Sequence, residues 1–216
     1  MRSAQLITEM YDAMSAALGP SDWWPGDTPF EIAIGAILTQ NTNWKNVEKA
    51  IDNLKNSKML SPEAMHALAP KELAELIRPA GYYNIKTKRI RNFLEFLNAE
   101  ADYDFESLKI QDLDELRPKI LKVNGVGPET ADSILLYALE KPTFVIDTYT
   151  FRLMDRHGQV WEDMNYHELQ SLFMDALPED VAVYNEYHAL IVRIGKGWCK
   201  KKAGLCDTCP LKSFLD

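Results

Sequence analysis

Apolar residues recur at helical spacing along almost the whole chain, and strand-like alternation is nowhere sustained. That period constrains the fold more than any motif, because a face repeating every 3.6 residues cannot alternate across a sheet. Leu6, Met10, Met14, Ala17 and Leu18 mark one face of an N-terminal helix that stops at Gly19-Pro20. "DTPFEIAIGAILTQN" offers Asp27 or Thr28 as N-cap and Pro29 for the first turn. Its middle is apolar on all sides, so a central, buried helix is expected. "SPEAMHALA" and "PKELAELI" read as short helices, the second ended by Pro79 and Gly81. "IKTKRIRNFLEFLNAE" offers Ile85, Phe93, Leu94, Phe96 and Leu97 to the core. "LDELRPKILKV" and "PETADSILLYALE" flank a glycine hairpin, and "YHELQSLFMDAL" and "VAVYNEYHALIVRIG" follow. "TFVI" is the one β-branched and aromatic run, too short to build a sheet. The expected fold class is all-α.

A chain of 216 residues can bury a core as one large domain or two small ones. No apolar run reaches the roughly 18 to 20 residues of a membrane span, and the N-terminus lacks a basic start followed by an apolar core. A cytoplasmic location with no membrane partner is therefore expected. The net charge of −8 argues against indiscriminate binding to polyanions. That average hides "RIGKGWCKKK" at 193–202, with five basic residues and no acid, and "NIKTKRIR" at 84–91, with four more. Taken alone, such runs are ordinary solvated faces. The three cysteines all fall within the last 18 residues, which is not a secreted disulfide framework. They suggest a metal or cluster site in a reducing compartment.

In "LKVNGVGPETA", Gly125 and Gly127 stand between two helices. Glycine tolerates positive φ and keeps no side chain between backbone and ligand. Successive N–H groups in such a turn form a concave anion site, reinforced by the positive end of the next helix. A plain helix–helix connection would use the same residues. Twenty residues after Gly127, "FVIDTYTFR" sets Asp147 in an otherwise apolar stretch. The acid there caps the helix "TYTFRLMDRH", performs chemistry, or does both.

"VNGVGPETA" followed by "VIDTYTFR" resembles the helix-hairpin-helix signature and catalytic aspartate of the endonuclease III class of DNA glycosylases. "GAILTQNTNWKNVEKA" is similar to that family's early helix, "GYYNIKTKRI" to its Tyr-Asn-x-Lys turn, and "C…CDTC" to its iron–sulfur tail. The resemblance implies two helical lobes. Residues 25–133 would form a bundle ending in the hairpin, and 1–24 with 134–216 a second lobe carrying the cysteine loop. Asp147 would lie in a cleft between them. The implied partner is double-stranded DNA containing damaged bases, bound by a monomer in a salt-sensitive manner. Gln40, Asn41, Gly125, Val126, Gly127 and Thr130 are the implied DNA contacts, with Gln40 entering the duplex where a base is extruded. As a generic residue Gln40 is a polar helix terminus.

In the family's bifunctional members a lysine matches Glu129, and its amine forms the Schiff base that permits strand cleavage. A carboxylate cannot form an imine, so the resemblance implies a monofunctional glycosylase with water as nucleophile. Glu129 also suits a helix N-terminus on electrostatic grounds alone. Asp147 would stabilise the oxocarbenium-like sugar and orient water. A base alkylated at a ring nitrogen is already cationic and leaves as a neutral molecule, which suits a site with one carboxylate. Trp23, Trp24 and Trp44 could sandwich such a cation for about 2 kcal/mol when desolvated, or could simply fill a helix junction. "WWP", "TQNT-x-W" and the hairpin glutamate resemble the 3-methyladenine branch, which implies alkylated purines as substrates. Lys196 is expected near Asp147 or a phosphate, His188 in the core, and His66, His157 and His167 at the surface. Two rivals stand: a glycosylase/lyase for oxidised pyrimidines using another amine, and a non-catalytic DNA-binding module.

Cys199-x6-Cys206-x2-Cys209 reproduces the first three cluster ligands of the family, and the fourth position holds Leu215. The resemblance implies a [4Fe–4S] cluster with an incomplete cysteine set. Asp216, its terminal carboxylate or water would serve the fourth iron. A three-iron cluster, a zinc ion or no metal are the alternatives, and no histidine lies close in sequence. The cluster would hold the basic loop "KKKAGL" against a phosphate backbone rather than take part in bond chemistry.

Overall fold

The structure, a computed structural model, describes residues 2–21, 23 and 26–215. Trp24 and Asp216, both singled out above, lie outside the described residues. In chain order the α-helices are α1 (Arg2–Leu18), α2 (Pro29–Thr39), α3 (Trp44–Asn56), α4 (Pro62–Ala67), α5 (Pro70–Leu76) and α6 (Tyr83–Ala101). They continue with α7 (Phe105–Lys109), α8 (Leu113–Leu121), α9 (Pro128–Ser133), α10 (Thr148–Arg156), α11 (Tyr166–Ala176) and α12 (Val181–Gly197). No strand occurs among the described residues, so the fold is all-α as the periodicity requires. "GAILTQNTNWKNVEKA" is not one helix but two. Asn41 takes a left-handed φ of 55°, and Asn43 caps α3 by accepting from the Asn46 N–H at 3.2 Å. Asn and Thr side chains that bond nearby backbone compete with helix continuation, which explains the break.

The chain divides into two compact units, Pro25–Lys141 and Met1–Trp24 with Pro142–Asp216. The expected boundary at 133 differs from this. Residues Ile134–Ala138 continue α9 as a π-helical turn packed against α2, so they stay with Pro25–Lys141.

In the Pro25–Lys141 unit, α2 is the central helix. Thr28 caps it by accepting from the Glu31 N–H at 3.1 Å, Pro29 fills the first turn, and Ala33 through Leu38 are all buried. Lys86 on α6 is buried with them and donates to the Leu38 and Ala80 carbonyls, each at 2.7 Å. Two acceptors satisfy a neutral amine but not the third proton of an ammonium. Burial, with Arg89 nearby, pushes the Lys86 pKa down to about 8. Phe93, Leu94 and Leu97 join the core as expected, while Ile85 is 50% exposed at the outer face of the first turn of α6. Arg117 on α8 grips the fully buried Asp132 on α9 with two bonds of 2.7 and 2.9 Å. That bidentate pair clamps together the two helices that carry the hairpin.

In the other unit, α1 packs against α11 and α12. Its buried face is centred on Ile7, Met10 and Met14, while Leu6 is half-buried and Ala17 exposed. The Tyr187 hydroxyl donates to the Ile7 carbonyl at 2.7 Å, and the Arg193 guanidinium collects the Leu18 and Gly19 carbonyls at 2.6 and 2.7 Å. The Arg193 bonds satisfy carbonyls at the C-terminal end of α1 that the helix cannot bond itself. "TFVI" is buried without forming a strand, its Phe144 stacked on Phe173 and its carbonyl bonded by Gln170 at 2.7 Å.

Candidate functional site

The hairpin of the Pro25–Lys141 unit is fixed from below. Gly125 has φ 94°, and a Cβ there would meet Arg89 Cγ at 2.3 Å, so both backbone and space demand glycine. Gln40 Nε2 donates to the Gly125 carbonyl at 3.1 Å and to the Thr130 hydroxyl at 2.8 Å. Its Oε1 accepts from Arg89, and Asn92 donates to the Asn124 carbonyl at 2.9 Å. Gln40, Gly125 and Thr130 therefore come together, with Arg89 as a neighbour that the sequence did not suggest. In this arrangement Gln40 fastens the hairpin. Gly127 is exposed, and nothing stands within 4 Å of where its Cβ would be. Val126 is different: its side chain is buried and its N–H is spent on the Val123 carbonyl at 3.0 Å, so neither is left for a phosphate. Asn41 and Glu129 are exposed, Glu129 in the first turn of α9. Trp44 opens α3 half-buried against the core of its own unit.

In the other unit Asp147 is the N-cap of α10. Its Oδ1 accepts from the Tyr149 N–H at 2.9 Å, the Thr150 N–H at 2.8 Å and the Thr150 hydroxyl at 3.0 Å. Its Oδ2 faces His188 Nε2 at 3.6 Å, an ion-pair distance rather than a hydrogen bond. Burial pushes the Asp147 pKa up, but His188 and Thr150 pull harder, and the carboxyl is held below its ordinary value. One oxygen therefore caps the helix, and the other stays ionised beside a histidine. His188 is 4% exposed, which matches a core residue, yet its ring faces the acid. One signal could have found it. Gly195 lies seven residues on along the same face of α12, and α10 approaches so closely there that a Cβ would meet Tyr149 Cδ1 at 2.2 Å. Trp23 is half-buried, and Lys196 Nζ lies over its ring at 5.7 Å from the centroid.

The cysteine tail folds back on α10 and α12. Cys199, Cys206 and Cys209 line one recess with Leu153, Ile194, Trp198, Leu211 and Leu215, and Arg156 and His157 complete its wall. Burial pushes the Cys209 thiol up, and the charges of Cys199 and Cys206 add to the rise, so the three sulfurs sense one another. Arg156 Nη1 donates to Cys199 Sγ at 3.0 Å. Gly204 is required here, because a Cβ would meet Cys206 Sγ at 2.8 Å. Among the described residues, no group of three or more His, Cys, Asp or Glu side chains could hold a metal ion as they stand. A single ion draws its sulfur ligands to about 2.3 Å from one point. A cluster takes its protein ligands on separate irons and tolerates wider spacing. Three thiols in one recess can serve as ligands of a cluster. His157, expected at the surface, instead lines this recess at the C-terminal end of α10.

Residues 34–179 match the HhH-GPD superfamily base excision DNA repair protein family. The chain belongs to that superfamily. This HhH-GPD chain is 47% identical over 212 residues to a candidate DNA repair glycosylase of Methanocaldococcus jannaschii, covering 97% of the chain and 96% of the relative. It is 30% identical over 188 residues to endonuclease III of Thermotoga maritima, covering 87% and 83%. Among solved structures, H. pylori 3-methyladenine DNA glycosylase bound to 1,N6-ethenoadenine superposes with a TM-score of 0.76 at 28% identity, over 90% of this chain and 97% of that one. A trapped endonuclease III–DNA covalent intermediate shares the fold with a TM-score of 0.83 at 24% identity, over 98% and 95%. The HhH-GPD chain is thus an enzyme of the DNA glycosylase kind, in the endonuclease III class. No helix among its described residues is long and apolar enough to cross a membrane.

Proposed function

We propose that this HhH-GPD chain is a monofunctional DNA glycosylase that hydrolyses the N-glycosidic bond of alkylated purines, typified by 3-methyladenine, in double-stranded DNA. The observation that carries the reading is Glu129, exposed in the first turn of α9. An imine-forming enzyme of this class needs an amine there, and a carboxylate has no lone pair on nitrogen to offer. Water is then the nucleophile. Its oxygen bonds to the sugar C1′, the C1′–N bond breaks, and the bonding electron pair neutralises the cationic purine. Asp147 Oδ2, ionised and outside the helix cap, stabilises the developing positive charge on the sugar and receives the proton from water. The likeness to a 3-methyladenine glycosylase bound to ethenoadenine supports the choice of an alkylated purine. Gln40, Asn41, Gly125, Gly127 and Thr130 would meet the DNA, with Gln40 released from the hairpin to enter the duplex.

We also infer that the cysteine recess holds an iron–sulfur cluster. Cys199, Cys206 and Cys209 would ligate it, and Arg156, which donates to Cys199 Sγ, would offset its negative charge. The test of the enzymatic reading is base release from methylated duplex DNA, with the freed base identified by chromatography. Methylated purines should appear without strand nicking, and Asp147→Asn should slow release by about 100-fold or more. A covalent adduct trapped by borohydride would overturn the water-based mechanism. Release of oxidised pyrimidines in place of methylated purines would overturn the substrate class.

A further inference from the structure

We propose that His157 is the fourth protein ligand of the cysteine recess, its Nε2 completing a Cys3His set around the iron–sulfur cluster. The proposal rests on the cluster reading above and names the donor that replaces the missing cysteine.

His157 Nδ1 stands 2.8 Å from the Leu153 carbonyl. A carbonyl only accepts, so Nδ1 carries the proton and donates. In that tautomer Nε2 holds a bare lone pair. Nε2 is nevertheless buried, with no hydrogen-bond partner among the described residues. A buried acceptor without a donor is unfavourable, and native structures rarely leave one without a reason. Among the described residues, no donor of the recess stands within hydrogen-bonding reach of it. Leu153, Ile194, Trp198, Leu211 and Leu215 present apolar surface, and Arg156 directs Nη1 to Cys199 Sγ and Nη2 to the Lys200 carbonyl. What the recess does contain is three thiols, which bind soft metals, and an imidazole is the commonest nitrogen ligand beside them. The arrangement is also the one metal-bound histidines adopt: one ring nitrogen fixed by a backbone carbonyl, the other turned to the metal.

Leu215 sharpens the assignment. It occupies the position where a fourth cysteine would be expected, and it lines the same recess with a side chain that cannot ligate. A neutral imidazole in place of a thiolate makes the cluster less negative by one charge. That raises its reduction potential relative to an all-cysteine site.

The test uses the full chain grown with 15N-histidine and reconstituted anaerobically with ferrous iron and sulfide. Iron and sulfide are counted, and the reduced cluster is examined by pulsed electron paramagnetic resonance. The wild type should carry about four irons per chain and show strong 15N hyperfine coupling. His157→Gln should lose the coupling and drop to about three irons per chain, while Asp216→Asn should change neither. His157→Cys should keep the irons, lose the coupling and lower the potential. The coupling in the wild type reports a histidine ligand without relying on any variant, and His157→Gln assigns it. Iron bound without 15N coupling, and retained in His157→Gln, would overturn the histidine assignment while leaving the cluster reading intact. A reconstituted wild type without iron would overturn both.

Discussion

Asp147 divides its two oxygens between two duties, and each can be measured separately. Oδ1 takes all three capping bonds, whereas Oδ2 faces only His188 among the contacts described. In Asp147→Asn an amide oxygen can still cap α10, so the substitution should cost well under the ~1 kcal/mol of a lost cap at neutral pH. The folded carboxyl titrates below its unfolded value of about 3.9. Its share of stability is therefore complete above that value and disappears as the pH falls through the folded pKa. Urea unfolding should accordingly show the wild type losing stability more steeply than Asp147→Asn as the pH falls below about 4. His188→Ala removes the ring that faces Oδ2 and helps hold the carboxyl below its ordinary value, so the acid limb of base release should move up in pH. An unmoved limb would show that Thr150 alone holds the carboxylate. At this scale the sequence was only partly legible. Asp147 could be read as a cap from "DTYT" because capping is local. His188 and His157 were read as core and surface because what they face depends on α12 and on a tail that folds back onto α10. No spacing rule reports a contact made across 40 or more residues.

The hairpin shows how an element is held. Its carbonyls are taken by Gln40 and Asn92, the side chain of Arg89 fills the space under Gly125, and the Arg117–Asp132 pair clamps α8 to α9. Arg117→Met should destabilise the chain by about 3–5 kcal/mol, because the fully buried Asp132 loses its guanidinium. Arg117→Met/Asp132→Leu should recover most of that loss, since an apolar pair of similar volume is often no worse than a buried ion pair. Equilibrium unfolding of the single and double variants decides the point. Gly125 was legible because positive φ has a sequence signature, whereas Gly127 sits at φ −91°. The end of α2 was legible at "TQN", where Gln40 reads as a polar helix terminus, whereas the start of α3 was not read separately, because one Asn in the left-handed region interrupts an otherwise helical pattern. Ile85 was misassigned to the core for a related reason, as a first-turn residue whose face is set by how α6 packs rather than by hydrophobicity.

The two units differ in how the chain builds them. Pro25–Lys141 is continuous and carries its own core from Phe30 to Leu139. A fragment spanning 25–141 should be helical and unfold cooperatively, as followed by circular dichroism. A fragment spanning 142–216 should fail the same test, because Ile7, Met10 and Met14 of α1 are fully buried in the unit it would have to form. The all-α class was legible over this whole length because helical periodicity is repeated in every segment. The division was legible only approximately, since the π-helical turn 134–138 carries no pattern of its own. During synthesis, the division means that α1 waits for its partners α11 and α12 while the whole of Pro25–Lys141 is made. The ribosome delivers α1, then the whole of Pro25–Lys141, and only afterwards α11 and α12. A continuous domain can fold as it emerges. Until the last third of the chain is translated, Ile7, Met10 and Met14 form an apolar stripe without its cover, and this is where a chaperone would find the nascent protein.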